Sequence, residues 1–107
     1  MKKLLYILMI LPCIAFTQIQ VIHFNAEWNS SNDVGWFDDL TDAKLKRIDI
    51  ATNAQASTDY KITVVPTILI VVDGEEEERY EADISFSMQA TKEEVQEVID
   101  EIVMDQF

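Results

Sequence analysis

Apolar and polar residues alternate along this chain in a way that predicts its elements before any chemistry is considered. From Ile19 to Asn25 the run Ile-Gln-Val-Ile-His-Phe-Asn carries apolar residues at Ile19, Val21, Ile22 and Phe24. Such a short, largely apolar run is expected of a strand covered on both faces. Asn29, Ser30 and Ser31 are helix-capping types, and Asp33 stands three residues after Ser30 as in a capping box. Val34, Trp36, Phe37 and Leu40 then supply the apolar face of a short helix ending near Thr41. Trp36 and Phe37 are adjacent and cannot face the same way on a helix, so one is expected in the core and the other partly exposed.

Lys46 to Ile50 reads as a second strand, with Leu45, Ile48 and Ile50 as its apolar content, and the polar segment from Ala51 to Tyr60 has room for one short helix. Val64 to Val72 is rich in β-branched residues, Asp73-Gly74 is a tight-turn signal, and Glu75 to Asp83 reads as a returning strand. Thr91, with Glu94 three residues on, forms a capping box before Val95, Val98, Ile99, Ile102 and Val103 at helical spacing. The order is strand, helix, strand, short helix, hairpin, helix, with no internal repeat. Two strands joined by a helical crossover imply a parallel pair, and the hairpin adds antiparallel strands. The expected fold class is α/β, a mixed sheet of about four strands packed by helices.

The first residues follow a different pattern. Met1-Lys2-Lys3 precede an uncharged, mostly apolar stretch from Leu4 to Phe16, followed by the more polar Thr17-Gln18. This is the layout of a signal peptide, with small residues Ala15 and Thr17 as alternative cleavage positions, and the stretch is short for a permanent membrane span of about 20 residues. We divide the chain into residues 1–17, a cleaved signal peptide, and residues 18–107, a single domain. The reading implies export to a periplasm or the outside. The alternatives are an uncleaved N-terminal membrane anchor and a first helix or strand of the fold. The lone cysteine, Cys13, lies in this segment. Leu11-Pro12 before it departs from the small residue expected next to a lipid-modified cysteine. Cleavage after Thr17 would leave no disulfide, thiolate ligand or cysteine nucleophile.

The charge balance is 8 basic against 20 acidic residues, net −12. Without Lys2 and Lys3 it becomes 6 against 20, or −14. A body of that sign repels phosphate backbones, so nucleic acid is not expected as a partner, nor a membrane beyond the signal segment. Glu75 to Glu78 form an acidic run, but consecutive carboxylates on a strand point to opposite faces, whereas calcium loops gather their ligands around a turn. A solvated sheet edge that resists pairing is the expectation there. No metal or cofactor site is expected.

The stretch Phe24-Asn25-Ala26-Glu27-Trp28-Asn29-Ser30-Ser31-Asn32 resembles the active-site segment of the thioredoxin family. The family's Phe-x-Ala-x-Trp is matched by Phe24, Ala26 and Trp28, with Asn29 and Asn32 at the two positions of the Cys-x-x-Cys pair. Ile48-Asp49-Ile50, Tyr60-Lys61-Ile62, Val65-Pro66-Thr67 and Asp73-Gly74 follow the family's later segments in order, so the likeness runs from about Val21 to Ile102. The segment between Trp28 and Ile48 is shorter than the family pattern, and the N-terminal strand and helix of many thioredoxins have no counterpart before Ile19. The resemblance therefore implies a reduced thioredoxin-like fold. It further implies that Pro66 is a cis-proline facing the loop, and that His23 occupies the place of a buried proton-relaying acid.

Dithiol chemistry needs a thiolate nucleophile and a redox couple, and an asparagine amide supplies neither. Ser30, Ser31 and Asn32 are expected as helix caps, ahead of a small anion held by the same helix-start amides, and His23 as a satisfied core histidine. Activation of Ser30 or Ser31 by His23 would need an orienting acid and an oxyanion hole for which the sequence shows no motif. The function implied is an exported thioredoxin-like domain without dithiol activity that binds a polypeptide or partner protein. Its binding groove would be formed by Trp28, Asn29, Ser30, Ser31, Asn32 and Pro66. The alternative is an accessory role in thiol–disulfide exchange with a partner that supplies the cysteines. A remnant with no ligand is a third reading.

Overall fold

A computed structural model describes residues 18–106; the signal-peptide reading and Cys13 fall outside the described residues. Strands β1 (Ile19–Asn25), β2 (Lys44–Asp49), β3 (Thr67–Val72) and β4 (Glu75–Glu81) form one sheet in the order β2-β1-β3-β4. β1 runs parallel to β2, while the β1–β3 and β3–β4 pairs are antiparallel. The class is α/β with a mixed sheet of four strands, as expected.

The two central strands, β1 and β3, are the most apolar, and they are buried on both faces. On one face Val21, Ile68 and Ile70 pack with Val34, Phe37, Leu40 and, from helix α2 (Lys92–Met104), Val95 and Ile99. On the other, Ile22, Phe24, Leu69 and Val71 pack with Ile48 and with Ala56 of helix α1 (Ala54–Asp59). Both α-helices start on side-chain caps. Asn53 accepts from the Ala56 amide at 3.2 Å, and Thr91 from the Glu94 amide at 3.2 Å. Among the described residues no helix is long and apolar enough to cross a membrane.

Asp73 (φ 51°) and Gly74 (φ 87°) both adopt the left-handed region that a two-residue hairpin turn demands. On β4 the register passes from Ile70–Glu78 to Val71–Glu76, so Glu77 is bulged out. Glu75 to Glu78 are all exposed on this edge, where like charges discourage pairing with another sheet. The strand stops at Glu81, short of the expected Asp83, because the Asp83 carboxylate accepts from the Ser85 and Ser87 amides and curls the chain into a turn.

One element departs in kind. The α-helix expected from Ser30 to Thr41 is replaced by two 3₁₀ segments, Glu27–Asn32 and Gly35–Asp39, separated by extended conformations at Asp33 and Val34. Val34, Phe37 and Leu40, all buried, recur every third residue, which matches the three-residue turn of a 3₁₀ helix. The expected caps are absent too, since neither segment starts on a side-chain hydrogen bond and Asp33 ends the first segment. Phe37 is fully buried and Trp36 partly so, as the adjacent pair required.

Candidate functional site

β1 runs out at Asn25, and the chain turns across the end of the sheet through Ala26 to Asp33. The turn is closed by the Asn29 amide donating to the Ala26 carbonyl at 2.8 Å. Asn29, 4 % exposed, is the hub of the site. Its side-chain Nδ2 lies 3.1 Å from Asn25 Oδ1, 3.2 Å from the Phe86 carbonyl and 3.4 Å from the Val65 carbonyl. Its Oδ1 accepts from Asn32 Nδ2 at 2.8 Å. Asn25 Nδ2 in turn donates to the Asn29 carbonyl at 3.1 Å and to the Asp33 carboxylate. Among the described residues no buried side-chain polar atom lacks a partner. The two asparagines at the cysteine positions therefore form a hydrogen-bonded clasp, with no ionisable group in either side chain.

The structure brings the expected groove residues together but exposes them unequally. Trp28 is 67 % exposed and Ser30 and Ser31 are on the surface, whereas Asn29 is buried, Asn32 half-buried and Pro66 fully buried. The Val65–Pro66 peptide bond is cis. Trp28, Ser30 and Ser31 stand at the surface, with Asn29 and Pro66 buried behind them. The turn after β4 adds two exposed apolar residues that no sequence pattern singles out. Phe86 stands edge-on to Trp28 with ring centroids 5.3 Å apart, and Ile84 on the same turn is 99 % exposed. Their signal in the sequence is weak: two apolar residues alternating with Asp83, Ser85 and Ser87 read as the tail of a strand and not as part of a site.

Beneath the loop an open cleft of about 330 Å³ separates it from β2 and is lined by His23, Asn25, Glu27, Asp33, Arg47 and Asp49 among others. His23 is 2 % exposed, packs on Phe37 and accepts from the Val34 amide through Nε2 at 3.3 Å. Its Nδ1 lies 3.5 Å from the Arg47 guanidinium. Burial first, and the Arg47 charge second, push its pKa down to about 4, so the ring is neutral at pH 7. With Nε2 occupied by Val34, His23 has no free acceptor to activate Ser30 or Ser31. Arg47 itself is held by both Asp38 oxygens (3.3 and 3.2 Å), by the Val34 carbonyl (3.0 Å) and over the Phe37 ring (5.1 Å to its centroid). It stitches β2 to the second 3₁₀ segment. Among the described residues no three His, Cys, Asp or Glu side chains gather as a metal site requires.

No protein-family model matches the sequence, and no curated protein matches it. Solved structures do. A thioredoxin of Schistosoma mansoni is 19 % identical with a TM-score of 0.63, covering 88 % of this chain and 85 % of that one. A mutant thioredoxin of Halobacterium salinarum is 21 % identical with a TM-score of 0.62, covering 78 % and 74 %. Fasciola hepatica thioredoxin is 22 % identical with a TM-score of 0.56, covering 78 % and 80 %. The chain thus has the thioredoxin fold, in a variant without the Cys-x-x-Cys pair, Asn29 and Asn32 standing where the resemblance places the cysteines.

Proposed function

We propose that this chain is an exported thioredoxin-fold domain that carries out no dithiol chemistry and binds a polypeptide or partner protein on the face built by the Trp28 loop and the Val65–Pro66 segment. The observation that carries the reading is the contrast between neighbours in the loop. Asn29, at the place of the reactive sulfur, is locked into the clasp, while Trp28 keeps two thirds of its surface in water. An exposed tryptophan braced by a second aromatic ring is the kind of anchor that dominates protein–protein contacts. Export is supported by the basic start and uncharged apolar stretch of residues 1–17.

Two measurements test it. Insulin reduction by the protein should not exceed the blank; turnover would sink the reading. Capture of partners from the exported fraction, with the protein and its Trp28→Ala variant as baits, should give specific partners that the variant loses. Identical captures with both baits would remove the groove from the account.

A further inference from the structure

The same face carries information about the chemistry of its partner, an inference that rests on the polypeptide-binding reading. Ile84 is not merely exposed; the turn that carries it is braced by its own side chains. The Asp83 carboxylate accepts from the Ser85 amide (2.9 Å), the Ser85 hydroxyl (2.5 Å), the Ser87 amide (3.3 Å) and Gln89 Nε2 (2.8 Å). The Phe86 amide donates to the Asp83 carbonyl at 3.0 Å, and the Phe86 carbonyl is held by Asn29 at 3.2 Å. Apolar area on a turn fixed in this way is offered to a partner with little ordering left to do on binding.

The chain is strongly acidic, net −12, and its carboxylates reach the edge of that apolar surface at Glu27, the neighbour of Trp28 in sequence. Glu27, exposed next to Trp28, lines the cleft with Asp33 and Asp49, and Asp83 carries the turn. Among the described residues no lysine lines the cleft, and its one arginine, Arg47, is engaged by Asp38, the Val34 carbonyl and the Phe37 ring. The face therefore offers apolar contact bordered at Glu27 by an acidic cleft, in which Asp33 and Asp49 accept from Asn25 and the Ala51 amide and Arg47 is engaged by Asp38.

We propose that this face docks a basic polypeptide segment, with an apolar side chain packed on Trp28, Ile84 and Phe86 and a lysine or arginine reaching the carboxylates at the mouth of the cleft. The same charges steer such a segment in and turn acidic segments away.

The test is a titration of the full chain with three labelled synthetic peptides: one with a leucine flanked by four lysines, the same peptide with glutamates for the lysines, and the lysine peptide with serine for the leucine. The first should bind at least about tenfold more tightly than either other, as a buried leucine and complementary charge each contribute on that scale. Ile84→Ser should weaken it about tenfold, and Glu27→Lys should weaken the lysine peptide while improving the glutamate peptide. Equal affinity for lysine and glutamate peptides, indifference to both substitutions, or no binding of any peptide would each overturn the proposal. The Trp28→Ala capture judges the broader binding reading separately, so partners that are captured but not basic would overturn this inference alone.

Discussion

The side-chain amide of Asn29 donates to the main-chain carbonyl of Phe86 across 3.2 Å, joining the loop after β1 to the turn between β4 and α2. The same nitrogen faces Asn25 Oδ1 and the Val65 carbonyl, so one side chain holds three segments that are far apart in sequence. Asn29→Ala removes the donor and leaves these acceptors and Asn32 without their partner. Since a buried polar group left unpaired costs about 1–3 kcal/mol, we expect a loss of about 2–3 kcal/mol in urea unfolding. A loss below about 0.5 kcal/mol, the range of ordinary surface substitutions, would contradict the role of the clasp.

Restoring the sulfurs should not restore the chemistry. In Asn29→Cys with Asn32→Cys, residue 29 sits at a kink within the first 3₁₀ segment, its φ −113° and ψ 21° being non-helical, instead of at the start of a long α-helix. It is buried, and Asp33 rather than a cation is nearby, all of which disfavours a thiolate. Insulin reduction by the double variant is expected to equal the blank, and the variant is expected to be less stable because the clasp is gone. Turnover above the blank would show that the frame survives the shortened segment.

His23 makes stability depend on pH. Its folded pKa is lowered to about 4 from an ordinary value of 6.5. Between these values the unfolded chain binds the proton and the folded one does not, so stability is fully present above pH 6.5 and falls as the pH drops toward 4. The limit is about 1.4 kcal/mol per pH unit, and a total of about 2–3 kcal/mol is expected from this one group. Because carboxylates titrate in the same range, the measurement is the difference between the protein and His23→Leu. That difference should shrink on acidification through this window and stay flat above about pH 7.

Arg47 should report on the same ring. Arg47→Leu loses the Asp38 pair, the Val34 carbonyl bond and the Phe37 contact, together worth about 1–2 kcal/mol at a half-exposed site. It also removes the second-largest cause of the His23 shift. The chain has one histidine, so its ring protons give a single titration in NMR. The midpoint should rise in the variant without reaching the ordinary value, because burial remains.

Asp83 is fully exposed, and its pKa is lowered first by the Ser85 hydroxyl bond and further by the Ser85 and Ser87 amides. Asp83→Ala should leave the sheet intact and raise hydrogen exchange at the amides of Ser85 and Ser87. Unchanged exchange there would mean that the turn does not depend on this carboxylate.

Where neighbours along the chain decide the structure, the sequence is legible. The apolar run from Ile19 to Asn25, the Asp73-Gly74 turn and the Thr91-capped helix appear nearly as expected, because apolar runs, turn chemistry and capping act within a few residues. The two 3₁₀ segments pass for one α-helix in the sequence because capping residues and apolar positions are common to both, and only the repeated spacing of three at Val34, Phe37 and Leu40 distinguishes them. Trp28, Asn29, Ser30, Ser31, Asn32 and Pro66 are legible as one locality through the resemblance, whereas Phe86 is not, since it joins it through contacts with Trp28 and Asn29 that no local pattern records.

By itself, then, the sequence determined the class of fold, the strongly acidic body and the absence of a cysteine pair at the site, each being a matter of composition or local period. Tertiary structure decided that Asn29 is buried as a clasp, that Phe86 meets Trp28 and that His23 is neutral. The physical reason is distance along the chain. Asn29 and Phe86 are 57 residues apart, and only the packed sheet brings an amide of one to a carbonyl of the other.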